Sequence, residues 1–366
     1  MANLRVALLG AGNISATHIS AIRQLSGIEI VGVCDIDYKR ASGLQEKEGI
    51  AGAWDNVDQM LRECRPGIVH VLLPPPAHHD AAIKCLDAGS HVFMEKPFCM
   101  TVAECRNVQK TAERAGLTVG VNHNMAFTPG MMLLIEAIRD LRLGAVEHVA
   151  VSYSLPIPGL KKGLTGPWMF GETGRIMLEV GPHPVSVVCR LMGAVKQATT
   201  AVAGEIILPD NTRLFSTWMS SMVCERGTGT VMLSTGIGFG SISVHVIGED
   251  GEAFVDLRRN TVRISAKDRY IRAGDLMDGL RNGMSVARQS FRNFRASALG
   301  STGLGKPYVL QDMAVRNSLE SFYNALRSGH APLIGAEQGT NVVEACHMII
   351  DGARRFAEER EPVAVG

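Results

Sequence analysis

Glu95-Lys96-Pro97 and, further along the chain, Glu179 and His183 are the residues whose types could do chemistry together. An ammonium, a carboxylate and an imidazole can hold a hydroxyl oxygen and exchange its proton. Near the start of the chain runs Gly10-Ala11-Gly12-Asn13-Ile14-Ser15, placed between an apolar run and a segment with helical spacing. The first glycine permits a tight turn, the second lets the backbone approach a pyrophosphate, and a helix N-terminus there supplies amide donors. Gly10, Gly12, Asn13 and Ile14 are therefore expected to bind a dinucleotide. The third small position is Ser15. Asp35 closes the next apolar run. A carboxylate there accepts hydrogen bonds from an adenosine ribose and repels a 2′-phosphate, which favours NAD and disfavours NADP; the local alternative is a helix N-cap in the 35–39 turn. Hydride transfer at an alcohol carbon needs this combination, a nicotinamide for the hydride and a positioned acid/base for the proton. The chain reads as an enzyme.

The elements that must carry these residues divide the sequence in two. Up to residue 122 short apolar runs (4–9, 28–34, 68–73, 91–94, 117–121) alternate with helical spacing (77–88, 102–115), which predicts a Rossmann-type, doubly wound parallel sheet. From 123 to 366 runs at 146–154, 198–207, 212–222, 229–236, 241–248, 252–256 and 261–265, several joined by Gly- or Asp-containing turns, predict an α+β domain with a largely antiparallel open sheet. Helices are expected at 130–141, 175–191, 310–327 and 337–357.

Length and composition set bounds. With 366 residues the chain is long for a single core, and 46% hydrophobic with 20% charged residues describes an ordinary globular protein. A net charge of +1 gives no broad attraction for nucleic acid or anionic membrane. No stretch approaches the roughly 20 apolar residues of a membrane helix, so no stable membrane association is expected. Eight cysteines are scattered without a CxxC pair, which points to reduced thiols, a cytoplasmic location and no metal site.

With these residues in view, the chain resembles the glucose–fructose oxidoreductase / inositol dehydrogenase (Gfo/Idh/MocA) family nearly end to end. The likeness runs through the Gly10–Ser15 turn, the Pro75…His79 segment, "AGSHVFMEKP" ending at Pro97, residues 121–129, Glu179…His183 and "PLIGAEQGTNVVEACHMIIDGAR". The resemblance implies a small-molecule carbohydrate substrate, Lys96 as the catalytic lysine, Glu179 and His183 in place of the family's aspartate–histidine pair, and Pro75, His79 and Glu95 beside the cofactor. It also implies a homodimer or homotetramer formed through the second domain's sheet. There are departures. Glu179 is one methylene longer than the usual aspartate, Arg175 occupies a small-residue position, Ala126 replaces a frequent arginine, and Ser186 an aspartate.

On this reading Lys96 stabilises developing alkoxide charge, His183 exchanges the hydroxyl proton, and Glu179 orients His183 or binds a neighbouring hydroxyl. Lys96 is the alternative base. His123, Asn124 and Trp168 are candidate substrate contacts, His78 reads as a helix-start residue, and Glu179 has an alternative as an ion pair with Arg175. A net dehydrogenase is expected. Transient oxidation by tightly held NAD and a non-catalytic NAD- or sugar-sensing protein are the alternatives. A further segment, 275–299, carries an apolar stripe (Met277, Leu280, Met284, Ala287, Phe291, Phe294, Ala298) flanked by Arg281, Arg288, Arg292 and Arg295. It predicts an inserted amphipathic helix packed on its own domain or a partner, with an arginine lid or a membrane-surface helix as alternatives.

Overall fold

The computed structural model describes residues 3–157, 168–208, 210–236, 238–267, 271–302 and 308–359. Two units emerge, one built from Met1–Asn124 and Gln311–Val343, the other from Met125–Leu310 and Glu344–Gly366.

In the first unit β1 (Leu4–Leu9), β2 (Ile28–Cys34), β3 (Ala53–Trp54), β4 (Ile68–Val71), β5 (His91–Met94) and β6 (Val119–Val121) form one sheet in the order β3-β2-β1-β4-β5-β6. Every pairing is parallel. The intervening helices are α1 (Asn13–Ile22), α2 (Tyr38–Glu48), α3 (Val57–Cys64), α4 (His78–Asp87) and α5 (Val102–Ala115). Helix α5 begins with a capping box, Thr101 accepting from the Glu104 amide while Glu104 reaches back. The doubly wound sheet read from the apolar alternation is present, and the strand order reverses between β1 and β4, where such sheets bind ligands.

The first unit leaves off at Asn124, close to the expected residue 122, but it is not one continuous segment. Part of the chain returns to it after the second unit. Val315, Leu319, Phe322 and Tyr323 pack with Val6, Leu8, Ile19 and Phe93 in one buried cluster. A long helix with helical spacing does not reveal which sheet it will cover.

In the second unit α6 (Pro129–Arg139) and β7 (Val146–Ser154) precede two short helices, α7 (Arg175–Val180) and α8 (Pro182–Met192). Then come β8 (Val195–Ile207), β9 (Arg213–Cys224), β10 (Gly227–Ser234), β11 (Ser241–Gly248), β12 (Gly251–Asp256) and β13 (Thr261–Ala266). Their sheet has the order β13-β12-β11-β7-β10-β9-β8. It is antiparallel except where β10 runs parallel to β7. The single helix expected at 175–191 is two, because Pro182 and Pro184 each remove an amide from the hydrogen-bond ladder. Gly181 bridges them, donating to the Met177 carbonyl and accepting from the Val185 amide.

Helix α9 (Ile271–Ser301) is followed by α10 (Leu310–Ser328) and α11 (Ala336–Glu358). Helix α9 forms where the stripe predicts, but its orientation is the reverse of the expected packing on its own domain. Its polar side faces inward. Gln289 Oε1 accepts from the Val262 amide at 2.8 Å and Gln289 Nε2 donates to the Val262 carbonyl at 2.8 Å, as a neighbouring strand would. Asn282 accepts from the Ile264 amide, and Asn293 donates to the Asn260 carbonyl. These side chains cover the edge strand β13, while Phe291 and Phe294 are 69% and 72% exposed. Replacing Gln289 by Ala is expected to speed hydrogen exchange at the Val262 amide at least tenfold, with cofactor binding unchanged. Unaltered exchange at Val262 would show that Gln289 does not hold the edge.

Candidate active site

The glycine turn follows directly from β1. Gly10 has φ +110°, and a Cβ there would lie 2.6 Å from the Leu72 carbonyl oxygen. Only glycine lets the chain turn between two adjacent strand ends. Gly12 caps α1, no side chain caps its first amides, and a Cβ on Gly12 would meet nothing within 4 Å. Open space therefore faces uncapped N–H groups, as a pyrophosphate requires. Asn13 and Ile14 form the first turn of α1. Ser15, the departure from a third glycine, is buried and donates its hydroxyl proton to the Gly12 carbonyl at 2.6 Å.

Asp35 is buried at the end of β2. Its Oδ2 accepts from the Ala11 amide at 2.8 Å and its Oδ1 from the Asp37 amide at 3.0 Å. The carboxylate thus ties the glycine turn to the β2 loop and keeps lone pairs for ribose hydroxyls. The N-cap of α2 is Asp37, not Asp35: Asp37 accepts from the Lys39 amide.

Glu95 and Lys96 follow β5, and Asn122 and His123 follow β6, at the carboxyl edge of the parallel sheet. Glu95 is the hub. Its Oε1 accepts from Asn122 Nδ2 at 2.6 Å and from His18 Nε2 at 2.9 Å, and its Oε2 from the Lys96 amide at 3.3 Å. Burial alone would raise the Glu95 pKa. The His18 interaction, the Asn122 hydrogen bond and the Lys96 charge outweigh it and bring the pKa down to about 2. Three buried acceptor or donor atoms beside this hub have no partner among the described residues: Asn122 Oδ1 and both ring nitrogens of His123. Buried polar atoms are rarely left so. Burial, reinforced by the Lys96 charge against the opposing pull of Glu95, lowers the His123 pKa to about 4. His123 is a neutral ring with one donor and one acceptor to offer. Asn124 opens the half-buried turn that follows.

Two adjacent histidines open α4, where the sequence reading expects His78. His78 is the buried one. Its ring nitrogens lie 2.8 Å from the carbonyl oxygens of Pro97 and Leu73, so it clamps the Glu95–Pro97 loop to the end of β4. Burial lowers its pKa, while hydrogen bonds to those carbonyls oppose the shift. His79, expected beside the cofactor, instead points toward α5, with one ring nitrogen on Asp80 and the other 2.9 Å from Asn107. Pro75 is buried in the turn between β4 and α4. Alternation of apolar residues cannot say which of two neighbours at a helix start turns inward.

In the second unit the structure joins Trp168 and Glu179: the indole N–H donates to Glu179 Oε2 at 3.1 Å. The alternative pairing of Glu179 with Arg175 does not form, since Arg175 pairs with Glu172 at 3.1 Å. His183 lies in the first turn of α8, stacked on Tyr153 with ring centroids 5.8 Å apart and planes within 5°. Its carbonyl accepts from the Ser186 hydroxyl at 2.8 Å. Arg190 was not anticipated. Its guanidinium donates to the Ala126 carbonyl and lies 4.8 Å over the Phe127 ring. A cation from α8 thus lies beside Ala126 and Phe127. No group of three or more potential metal ligands exists among the described residues.

This geometry can be set beside known proteins. A family model for an oxidoreductase family with an NAD-binding Rossmann fold matches residues 4–123. That match covers the parallel-sheet part of the first unit. The D-glucoside 3-dehydrogenase of Escherichia coli K12 is 30% identical over 198 residues, which is 52% of this chain and 54% of the relative. Inositol 2-dehydrogenase of Salmonella paratyphi B is 30% identical over 115 residues, 31% of this chain and 34% of that one. The chain thus spans about half the length, or less, of these curated relatives. Over the whole fold, an NAD binding oxidoreductase from Klebsiella pneumoniae superposes with a TM-score of 0.80 at 16% identity, covering 98% of each chain. The first unit is therefore an NAD-binding Rossmann domain, and its uncapped α1 amides, Asp35 and orphaned Asn122–His123 atoms fit that cofactor.

The neutral state of His123 has a sign that can be measured. Unfolded, it protonates near 6.5; folded, only near 4. Its contribution to stability is present above 6.5 and is lost as pH falls from 6.5 to 4, amounting to roughly 3 kcal/mol. Denaturant unfolding of the apoprotein should weaken over this window, and His123→Leu should flatten the fall. An unchanged slope in the variant would place the acid sensitivity elsewhere.

Proposed function

We propose that this protein is an NAD-dependent oxidoreductase that transfers hydride between the nicotinamide and a secondary hydroxyl of a sugar, cyclitol or sugar derivative. The observation that carries the reading is the cluster at the carboxyl edge of the first sheet. There the Glu95 carboxylate is held beside Lys96, next to buried hydrogen-bonding atoms of Asn122 and His123 that have no partner among the described residues. Such atoms suit the polar edge of a bound ligand.

Bound NAD would supply the hydride acceptor or donor. Lys96 holds the substrate oxygen and stabilises its charge as hydride leaves or arrives. His183 exchanges the hydroxyl proton, and its stacking on Tyr153 limits the ring to one plane. Glu179, one methylene longer than an aspartate and fixed by the Trp168 indole, binds a neighbouring hydroxyl or orients His183. Asn122, His123 and Asn124 recognise the polar edge of ligand or substrate. Asp35 selects NAD over NADP by accepting from the ribose and repelling a 2′-phosphate.

We place self-association, as a dimer or tetramer, on the open face of the second sheet. Met219 and Val223 are exposed there at 59% and 51% on the long strand β9, a composition that suits a covered surface. All eight cysteines are free thiols, seven of them buried, which supports a reducing compartment such as the cytoplasm. Among the described residues no helix is long and apolar enough to cross a membrane.

Two experiments test the reading. In single-turnover assays with a polyol and sugar panel, Lys96→Met should slow hydride transfer by at least about a thousandfold and His183→Ala by about a hundredfold. Rates within a few-fold of the parent for both would remove the assignment. Asp35→Ala should raise the Kd for NAD about tenfold while leaving that for NADP level or lower. Equal losses for both cofactors would show that Asp35 only braces the glycine turn. Retained cofactor on purification without net NADH formation would favour transient oxidation over net dehydrogenation.

A further inference from the structure

Behind Glu95 the first unit holds three side chains that the reaction scheme does not use. They form a line with it across four elements. His18 Nε2, on α1, is 2.9 Å from Glu95 Oε1; His18 Nδ1 is 2.9 Å from His70 Nδ1 on β4; His70 Nε2 is 2.7 Å from the Tyr323 hydroxyl on α10. Both histidines are 0% exposed and Tyr323 is 1% exposed.

The contacts determine where the protons are. A Glu95 carboxylate only accepts, so His18 Nε2 carries a proton. If His18 is neutral its Nδ1 is bare, so His70 Nδ1 must donate to it. His70 Nε2 is then bare and accepts the Tyr323 proton. Every contact is a hydrogen bond, and all donors run one way, from Tyr323 to His70 to His18 to Glu95. Burial lowers the His70 pKa well below its ordinary value, in keeping with a neutral ring. A doubly protonated His18 would reverse His70 and make the Tyr323 oxygen an acceptor. The hydroxyl proton would then need another acceptor, and none lies within hydrogen-bonding distance among the described residues.

The far end is closed. Tyr323 is packed against Phe322 and stacked on His70, inside the core cluster of the first unit. A proton arriving at Glu95 has no outlet through it, so the line does not drain protons; it sets the orientation and charge of the group at its open end. The other groups that bear on Glu95 are Lys96, Asn122, His78 and His123. His123 is a buried ring disposed to be neutral, and Lys96 is a facing cation.

We propose that Tyr323, His70 and His18 are positioning residues that hold the Glu95 carboxylate in one orientation beside Lys96, and so set how that lysine is aimed. This rests on the role given to Lys96 above. Without the Tyr323 hydroxyl the His70 ring loses one of its two anchors, and the orientation of His18 and of the carboxylate it donates to is held less firmly.

The test has two arms. In the 15N-labelled parent at pH 7, nitrogen–proton correlation spectra should show one proton on each ring, at His18 Nε2 and His70 Nδ1. A proton on His18 Nδ1, or two on either ring, overturns the proposal without any variant being made. In Tyr323→Phe and His70→Phe, single-turnover hydride transfer should slow by about tenfold at every pH, the lysine being less well aimed. The Kd for NAD should stay within about threefold of the parent. A profile superimposable on the parent's in folded variants overturns it as well. If Lys96→Met turned over like the parent, the assigned reaction would fall, whereas the ring protons would still decide the line.

Discussion

A carboxylate buried at the carboxyl edge of a parallel sheet is the constraint on which the first unit depends. An isolated charge cannot remain there; it must be paired and hydrogen-bonded. Glu95 meets that demand with partners from separate elements: His18 from the helix of the glycine turn, Asn122 from the end of β6, and the amide of Lys96. Satisfying one charge therefore fixes the start of α1, the ends of β5 and β6 and the lysine loop together. His78 adds a clamp from the next loop, through the carbonyls of Leu73 and Pro97. The precision expected of a reacting lysine comes from a network in which no member can move alone.

The second unit solves a different problem. Its mixed sheet carries helices α7 and α8, whose division at Gly181 and two prolines sets the orientation of His183. Trp168 restrains Glu179, and Tyr153 restrains the imidazole plane. Arg190 shows how a fold can supply a charge from an unexpected place, since it reaches the Ala126 carbonyl and the Phe127 ring from a different element. Helix α9 illustrates the same economy at a sheet edge. Its amide side chains imitate a strand against β13, and its apolar residues face outward.

Much of the first unit was legible because its signals are local. Apolar runs of strand length, glycines at a turn needing φ near +110°, and an acid closing β2 are properties of a few adjacent residues. The lysine loop was legible through its triplet. Helix boundaries held within a few residues wherever a cap marked them, as Thr101 and Glu104 mark α5. The burial of His78 rather than His79 was not legible, because one residue step at a helix start decides between core and surface. Nor was the return of residues 311–343 to the first unit, or the inward polar face of α9.

Sequence by itself determined the alternation of strands and helices, the glycine turn, and the residue types available for hydride and proton chemistry, since each depends on near neighbours and on side-chain type. Tertiary structure alone decided which groups share a proton. His18, His70, Glu95 and Tyr323 lie on four elements, and no periodicity links them. Hydrogen bonds act over about 3 Å and between groups of any sequence separation, so their pattern exists only once the sheet and its covering helices have packed.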